Sequence, residues 1–231
     1  MEIGGFEKTS LVDYPGKICC IAYTIGCGMR CKFCYNGDLL SKEAFDNSDR
    51  KQIDEYDILD YIEQNSKMLE AVSITGGEPT LQRDLPIFCH KVKALDKLVK
   101  IDTNGTGPNQ LQRCITMGVV DYIAMDLKGP PKKYKEITGI DFSDIITDSI
   151  DIIKNSGLPH EFRITINSKL TKQDVIDAIS LVSGSKVFLQ KFEPDNALFP
   201  DARKTISIPE NVAKEIIEET KDIADVQLRG F

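Results

Sequence analysis

The sequence predicts a parallel α/β fold, and three observations carry that reading. From residue 17 onward, short β-branched runs alternate with segments of helical periodicity. Helix punctuation falls where the periodic segments begin and end. Unusual residues follow successive strand candidates: CGMRCKFC after the first, GGEP after the second, DTNG after the third and DLK at the end of the fourth. In parallel α/β folds chemistry gathers at the carboxyl ends of strands, so these motifs share one rim.

The strand candidates are residues 18–25, 71–75, 98–102, 121–125, 162–166 and 187–192, with a short final strand near 226–228. Helical stripes lie between them, at Ile58, Leu59 and Ile62; at Leu85, Phe88, Val92 and Leu95; at Phe142, Ile145, Ile146, Ile150 and Ile153; and at Val175, Ile176, Ile179 and Val182. Asp141 opens and Gly157 closes the third of these, Thr171 is an N-cap, and Pro209 suits the first turn of a last helix bearing Val212, Ile216 and Ile217. In the fifth strand Arg163, Thr165 and Asn167 share one face and Phe162, Ile164 and Ile166 the other, the polar set being read as interior to a barrel. Periodicity alone fits either a flat doubly wound sheet or a barrel.

At 231 residues, without repeats or an evident linker, the chain is expected to form a single domain over 1–231. Long polar connections at 37–52 and 193–207 are candidate binding loops. The net charge of -7 argues against a nucleic-acid partner. The longest apolar run is far shorter than a membrane span and the N-terminus carries no export signal, so a cytoplasmic protein with no membrane association is expected.

Seven cysteines, an odd number, do not suit a disulfide framework in a reducing compartment. Cys19, Cys20, Cys89 and Cys114 sit in apolar strand-like or helix-like surroundings and read as small core residues. Cys27-x3-Cys31-x2-Cys34 is different, because it offers three thiolates on one tight loop where a fully protein-bound [4Fe-4S] cluster takes four. One iron is then left open to a small ligand. A zinc site would call for a fourth ligand, often from a second CxxC pair, and the sequence has no second pair.

With that spacing, and Phe33 before its last cysteine, the chain resembles the radical S-adenosylmethionine superfamily. The resemblance implies a partial (βα)6 TIM-type barrel, a [4Fe-4S] cluster on Cys27, Cys31 and Cys34, and S-adenosylmethionine beside Phe33, Cys34 and Tyr35. In Gly76-Gly77-Glu78-Pro79, the glycines let a ligand approach the backbone and Glu78 is suited to accept from an ammonium, which the resemblance makes the methionyl amine. The order IDTNG then MDLK is similar to that of glycyl radical enzyme activating enzymes. There the residues matching Asp126, Leu127 and Lys128 are implied in cofactor binding, with Arg163 on the cofactor carboxylate and Asp102 with Asp126 around a monovalent cation.

SLVDYPGK and CYN near the start resemble anaerobic ribonucleoside-triphosphate reductase activating proteins in particular. The implied activity is reductive cleavage of S-adenosylmethionine, with an electron from flavodoxin or ferredoxin, and hydrogen abstraction from a glycine of a glycyl radical enzyme, here anaerobic ribonucleotide reductase. One departure concerns the adenosine: some relatives carry a histidine near the end of the sixth strand, where this chain reads VFLQKFEP, leaving Gln190 or Lys191. His90 and His160 fall in no motif. The rival readings are a small-molecule enzyme such as a 7-carboxy-7-deazaguanine synthase and, from another class, a non-catalytic iron-sulfur or zinc-binding protein.

Overall fold

The computed structural model of the chain describes residues 1–197 and 204–231, so part of the predicted 193–207 loop lies outside the described residues. Two compact units are resolved, one of Met1–Gly28 with Asn36–Ile123, the other of Met29–Tyr35 with Ala124–Phe231.

The first unit is built on β1 (Ile3–Ser10), β2 (Cys19–Thr24), β3 (Ala71–Gly76) and β4 (Leu98–Thr103), neighbours in that order. β1 runs antiparallel to β2, and the other pairs are parallel. The register sets Ile21 beside Ser73 and Ser73 beside Lys100, on one face of the sheet. Helices α1 (Lys42–Asp46), α2 (Glu55–Gln64), α3 (Leu85–Ala94) and α4 (Pro108–Thr116) complete the unit. Asp54 caps α2 by accepting from Tyr56 N, and Ile58 with Ile62 supplies its buried stripe. Leu85, Phe88, Cys89 and Val92 do so for α3. Cys19, Cys20, Cys89 and Cys114 are all fully buried, as core residues.

β5 (Tyr122–Leu127) begins in the first unit and continues into the second. It starts and ends later than residues 121–125, because the Asp121 carboxylate is used as a side chain, accepting from Val99 N at 2.7 Å and pairing with Lys93 at 2.7 Å.

The second unit holds parallel neighbours β6 (His160–Ile166), β7 (Lys186–Lys191) and β8 (Asp225–Arg229). Its helices are α5 (Tyr134–Thr138), α6 (Ser143–Asn155), α7 (Lys172–Leu181) and α8 (Glu210–Thr220). Thr171 caps α7 in a reciprocal box with Asp174, as its position predicts. Asp141 accepts from Ser143 N at 3.1 Å just ahead of α6, and Gly157 follows that helix with a φ of 71°. Along β6, Phe162, Ile164 and Ile166 are fully buried, opposite Arg163 and Thr165.

β1, α1, α4 and α5 are additions to the predicted set, α1 lying within the connection read as residues 37–52. Among the described residues no helix is long and apolar enough to cross a membrane.

Candidate cofactor site

The glycine pair at the end of β3 is required by packing. Gly76 has a φ of 111°, and a Cβ on it would lie 2.4 Å from Thr24 N. A Cβ on Gly77 would lie 2.2 Å from the Gly26 carbonyl oxygen. The two main chains therefore touch: Gly77 N donates to Thr24 O at 2.8 Å and Glu78 N to Gly26 O at 2.7 Å. This turn fixes the backbone immediately before Cys27.

Glu78 is fully buried. Its Oε1 accepts from Thr80 N at 3.0 Å, Thr80 Oγ1 at 2.5 Å and Thr103 Oγ1 at 2.6 Å, while Oε2 accepts from Asn104 N at 2.6 Å. Burial pushes its carboxyl pKa up, and the donors from Thr103, Thr80 and Asn104 oppose that shift. Oε2, with one donor, keeps acceptor capacity for a further N–H group. Asn104 also donates through Nδ2 to Cys27 Sγ at 3.4 Å, and Gln82 Nε2 donates to Ile25 O at 2.7 Å. The sequence reading placed DTNG at a strand end without assigning Thr103 or Asn104, and it passed over Thr80 and Gln82. Their signal is a row of short polar side chains directly after two strands whose motifs meet.

Below this network Lys100 and Asp102 form a buried ion pair, the two side chains 3% and 8% exposed. Ser73 Oγ, on the neighbouring strand at the register of Lys100, is buried without a hydrogen-bond partner among the described residues.

In the second unit Cys31 is buried and Cys34 half-buried, with Cys34 N donating to Cys31 O at 3.1 Å in a tight turn. Arg30 N donates to Thr138 O at 2.8 Å, which ties this segment to α5. Phe33 meets Phe192 edge-on at 6.1 Å, Tyr35 stacks on Phe192 at 6.2 Å, and the Tyr35 hydroxyl accepts from Glu193 N at 2.9 Å. At the end of β5, Asp126 accepts from Arg163 Nε at 2.8 Å and from Lys128 Nζ at 3.5 Å. Burial acts to raise the Asp126 carboxyl, but Arg163 and Lys128 outweigh it and its pKa falls to about 2. Burial opposes the charge on Lys128, yet Asp126, then Cys31, hold its ammonium well above the usual lysine range. Leu127 is buried. Lys128 also lies 6.0 Å from the Phe33 ring.

The donor set suits a thiolate-bound cluster. None of the seven cysteines is in a disulfide. Cys27 receives an amide N–H, and Lys128 partly offsets the burial that leaves the Cys31 thiol pKa raised. Among the described residues no three His, Cys, Asp or Glu side chains form a group able to hold a single metal ion. A [4Fe-4S] cluster makes no such demand, because its thiolates bind different irons. A monovalent cation is matched less well. Asp102 already faces Lys100, and Asp126 already faces Arg163 and Lys128, so protein groups supply the positive charge at each carboxylate. His90 is exposed on α3, and His160 Nδ1 lies 2.8 Å from Leu158 O at the start of β6.

Residues 21–182 match the family model described as the radical SAM superfamily. A protein of Methanocaldococcus jannaschii, provisionally named a glycyl-radical enzyme activating enzyme, is 29% identical over 231 residues, covering 96% of this chain and 93% of its own length. A protein of Thermococcus kodakarensis, provisionally named GTP 3',8-cyclase, is 23% identical over 175 residues, which are 75% of this chain and 55% of that protein. The structure of Streptococcus suis SuiB bound to precursor peptide SuiA superposes with a TM-score of 0.69 at 14% identity, over 91% of this chain and 48% of that one. The chain thus spans about half the length of the cyclase and of SuiB, and nearly the full length of the archaeal protein. The likeness to SuiB shows the fold, an α/β arrangement of the partial barrel type expected from the sequence.

Proposed function

Because the chain belongs to the radical SAM superfamily, a family of enzymes that use a [4Fe-4S] cluster and S-adenosylmethionine, we propose that it is a glycyl radical enzyme activating enzyme. The observation that carries this reading is the end-to-end match to the archaeal relative of that name, against a match to only about half of the cyclase. SLVDYPGK, CYN and MDLK support the same choice and favour anaerobic ribonucleotide reductase as the partner, with flavodoxin or ferredoxin as electron donor. The family match runs from residue 21 to 182 and so draws on both compact units, which we read as one radical SAM domain of a cytoplasmic protein.

In this reading Cys27, Cys31 and Cys34 bind the cluster as thiolates. When bound, cluster and S-adenosylmethionine together supply one-electron cleavage of the sulfonium and a carbon radical able to take hydrogen from glycine. Gly76 and Gly77 serve the close backbone packing that seats the chain just before Cys27, rather than an approach by the ligand, and Glu78 would accept the methionyl ammonium through the capacity left on Oε2. Lys128 faces the Asp126 carboxylate and the Cys31 sulfur, countering negative charge at both. Arg163, held by Asp126, serves the cofactor carboxylate. Phe33, Tyr35 and Leu127 would contribute apolar surface that helps to exclude water from the bound cofactor.

The test mixes the anaerobic holoenzyme, a reductant, S-adenosylmethionine and the candidate reductase, and reads electron paramagnetic resonance. A glycine-centred doublet that disappears when the reductase glycine is replaced by alanine is the expected result. Absence of that signal with every glycyl radical protein of the source cell, alongside turnover of a small molecule such as 6-carboxytetrahydropterin, overturns the reading.

A further inference from the structure

Asn104 joins the acidic turn to the first cysteine of the loop, and its amide orientation is fixed by its neighbours. Oδ1 accepts from Thr106 N at 3.0 Å and from Thr106 Oγ1 at 2.7 Å. A backbone N–H can only donate, so the amide oxygen must face Thr106 and the NH2 group must face Cys27, where Nδ2 lies 3.4 Å from Sγ. The Asn104 backbone N–H is held in turn by Glu78 Oε2 at 2.6 Å. With the residue 8% exposed, this donor is set in place by bonds on both sides of its Cα and is shielded from bulk water.

A donor fixed on a sulfur has an electrostatic consequence. Thiolate sulfur gains negative charge when an iron-sulfur cluster takes up an electron, and hydrogen bonds to the sulfurs are among the features that set its reduction potential. Because the N–H dipole is already oriented, no reorganisation opposes its effect at the moment of electron transfer. Asn104 donates directly to the Cys27 sulfur, through Nδ2 at 3.4 Å. We propose that Asn104 is a positioning residue that holds the Cys27 sulfur and raises the reduction potential of the cluster bound there, easing reduction by a weak physiological donor. This rests on the proposed role of Cys27 as a cluster ligand.

A purely structural Asn104, serving only the turn that Thr106 closes, would leave the potential untouched, and that difference is measurable. Asn104→Ser keeps a short oxygen acceptor for Thr106 but brings no N–H to the sulfur. Thr106→Val keeps the amide and loosens its orientation. Both are reconstituted anaerobically, assayed for iron and titrated reductively with detection by electron paramagnetic resonance. The expected result is wild-type iron content with a midpoint moved to more negative potential, further in Asn104→Ser than in Thr106→Val. S-adenosylmethionine cleavage should then fall with a flavodoxin-type donor and recover with a strong chemical reductant. An Asn104→Ser protein with full iron and an unshifted or more positive midpoint overturns the proposal. Should that variant fail to hold a cluster, the Thr106→Val midpoint decides in the same way. A Cys27→Ala protein that keeps its whole cluster would instead overturn the ligand assignment, a result distinct from any change in midpoint.

Discussion

Replacing Lys100 with Met removes the cation from a carboxylate that has almost no access to water. Lys100 and Asp102 are 3% and 8% exposed, so bulk water does not screen either charge. Breaking a buried pair from one side leaves an uncompensated charge and typically costs about 3–5 kcal/mol, whereas an exposed pair is worth about 0–1 kcal/mol. For a chain of this size that predicts a melting midpoint lower by roughly 6–20 °C. Urea unfolding of the variant, followed by circular dichroism, gives the free energy, and Lys100→Met with Asp102→Leu should recover much of it by removing the stranded charge. Ion dependence supplies a second readout. At equal ionic strength the wild-type midpoint should be the same in potassium chloride as in choline chloride, while Lys100→Met should be stabilised by the smaller ion, which can enter beside Asp102. A Lys100→Met loss below about 1 kcal/mol, or saturable stabilisation of the wild type by potassium, would refute the reasoning that Lys100 is the fixed cation of this site.

Alanine at Cys27, Cys31 or Cys34 should abolish iron binding after anaerobic reconstitution, while alanine at Cys89 or Cys114 should leave iron content intact; metal analysis decides between them. Asp126 has its pKa lowered to about 2, below that of an unfolded aspartate, so its contribution to stability is full above the unfolded value and lost as pH falls toward 2. Asp126→Asn should therefore flatten the pH dependence of unfolding between about pH 5 and pH 2, read from urea midpoints across that range. Gln190 pairs in register with Thr165 on the face that also carries Arg163, whereas Lys191 is exposed at the strand end. Gln190→Leu should weaken S-adenosylmethionine binding by about tenfold in equilibrium dialysis, the loss of one hydrogen bond, while Lys191→Ala leaves it unchanged.

The strands from β2 onward were legible because their β-branched runs are bounded by helix signals. β1 was not. Its two adjacent glycines look like a loop, yet a Cβ at Gly4 would meet Leu39 Cδ2 at 2.6 Å and Ile25 Cγ1 at 2.8 Å, so glycine there serves close packing by residues distant in sequence. α4 escaped for the opposite reason: its buried residues are only Leu111 and Cys114, too few to make a stripe. Asp126 and Lys128 were legible as a pair because strand alternation puts them on one face, and the 3.5 Å contact follows. The Lys100–Asp102 pair obeys the same rule, its two side chains alternating with Val99 and Ile101 along β4.

Glu78 shows why a local motif reading assigned one role where the fold gives two. As a strand-end acid it suits an ammonium, and on that ground alone Glu78→Ala would weaken cofactor binding and spare the cluster. In the folded chain the same carboxylate holds Thr80, Thr103 and Asn104, and Asn104 holds Cys27. Alanine leaves those donors without their acceptor, at about 1–3 kcal/mol for each that water cannot reach, and releases the residue that contacts the sulfur. Glu78→Ala should therefore lose both S-adenosylmethionine affinity and cluster integrity. Glu78→Gln separates the two roles: its amide oxygen can serve Thr80 and Thr103, while its NH2 opposes the Asn104 N–H and any bound ammonium. It should fold and retain iron better than Glu78→Ala while binding the cofactor more weakly than wild type. Measuring iron and cofactor affinity on both variants tests this, and a Glu78→Ala protein with full iron and lost affinity would mean that the hydrogen bonds to Thr103 and Asn104 do not support Cys27.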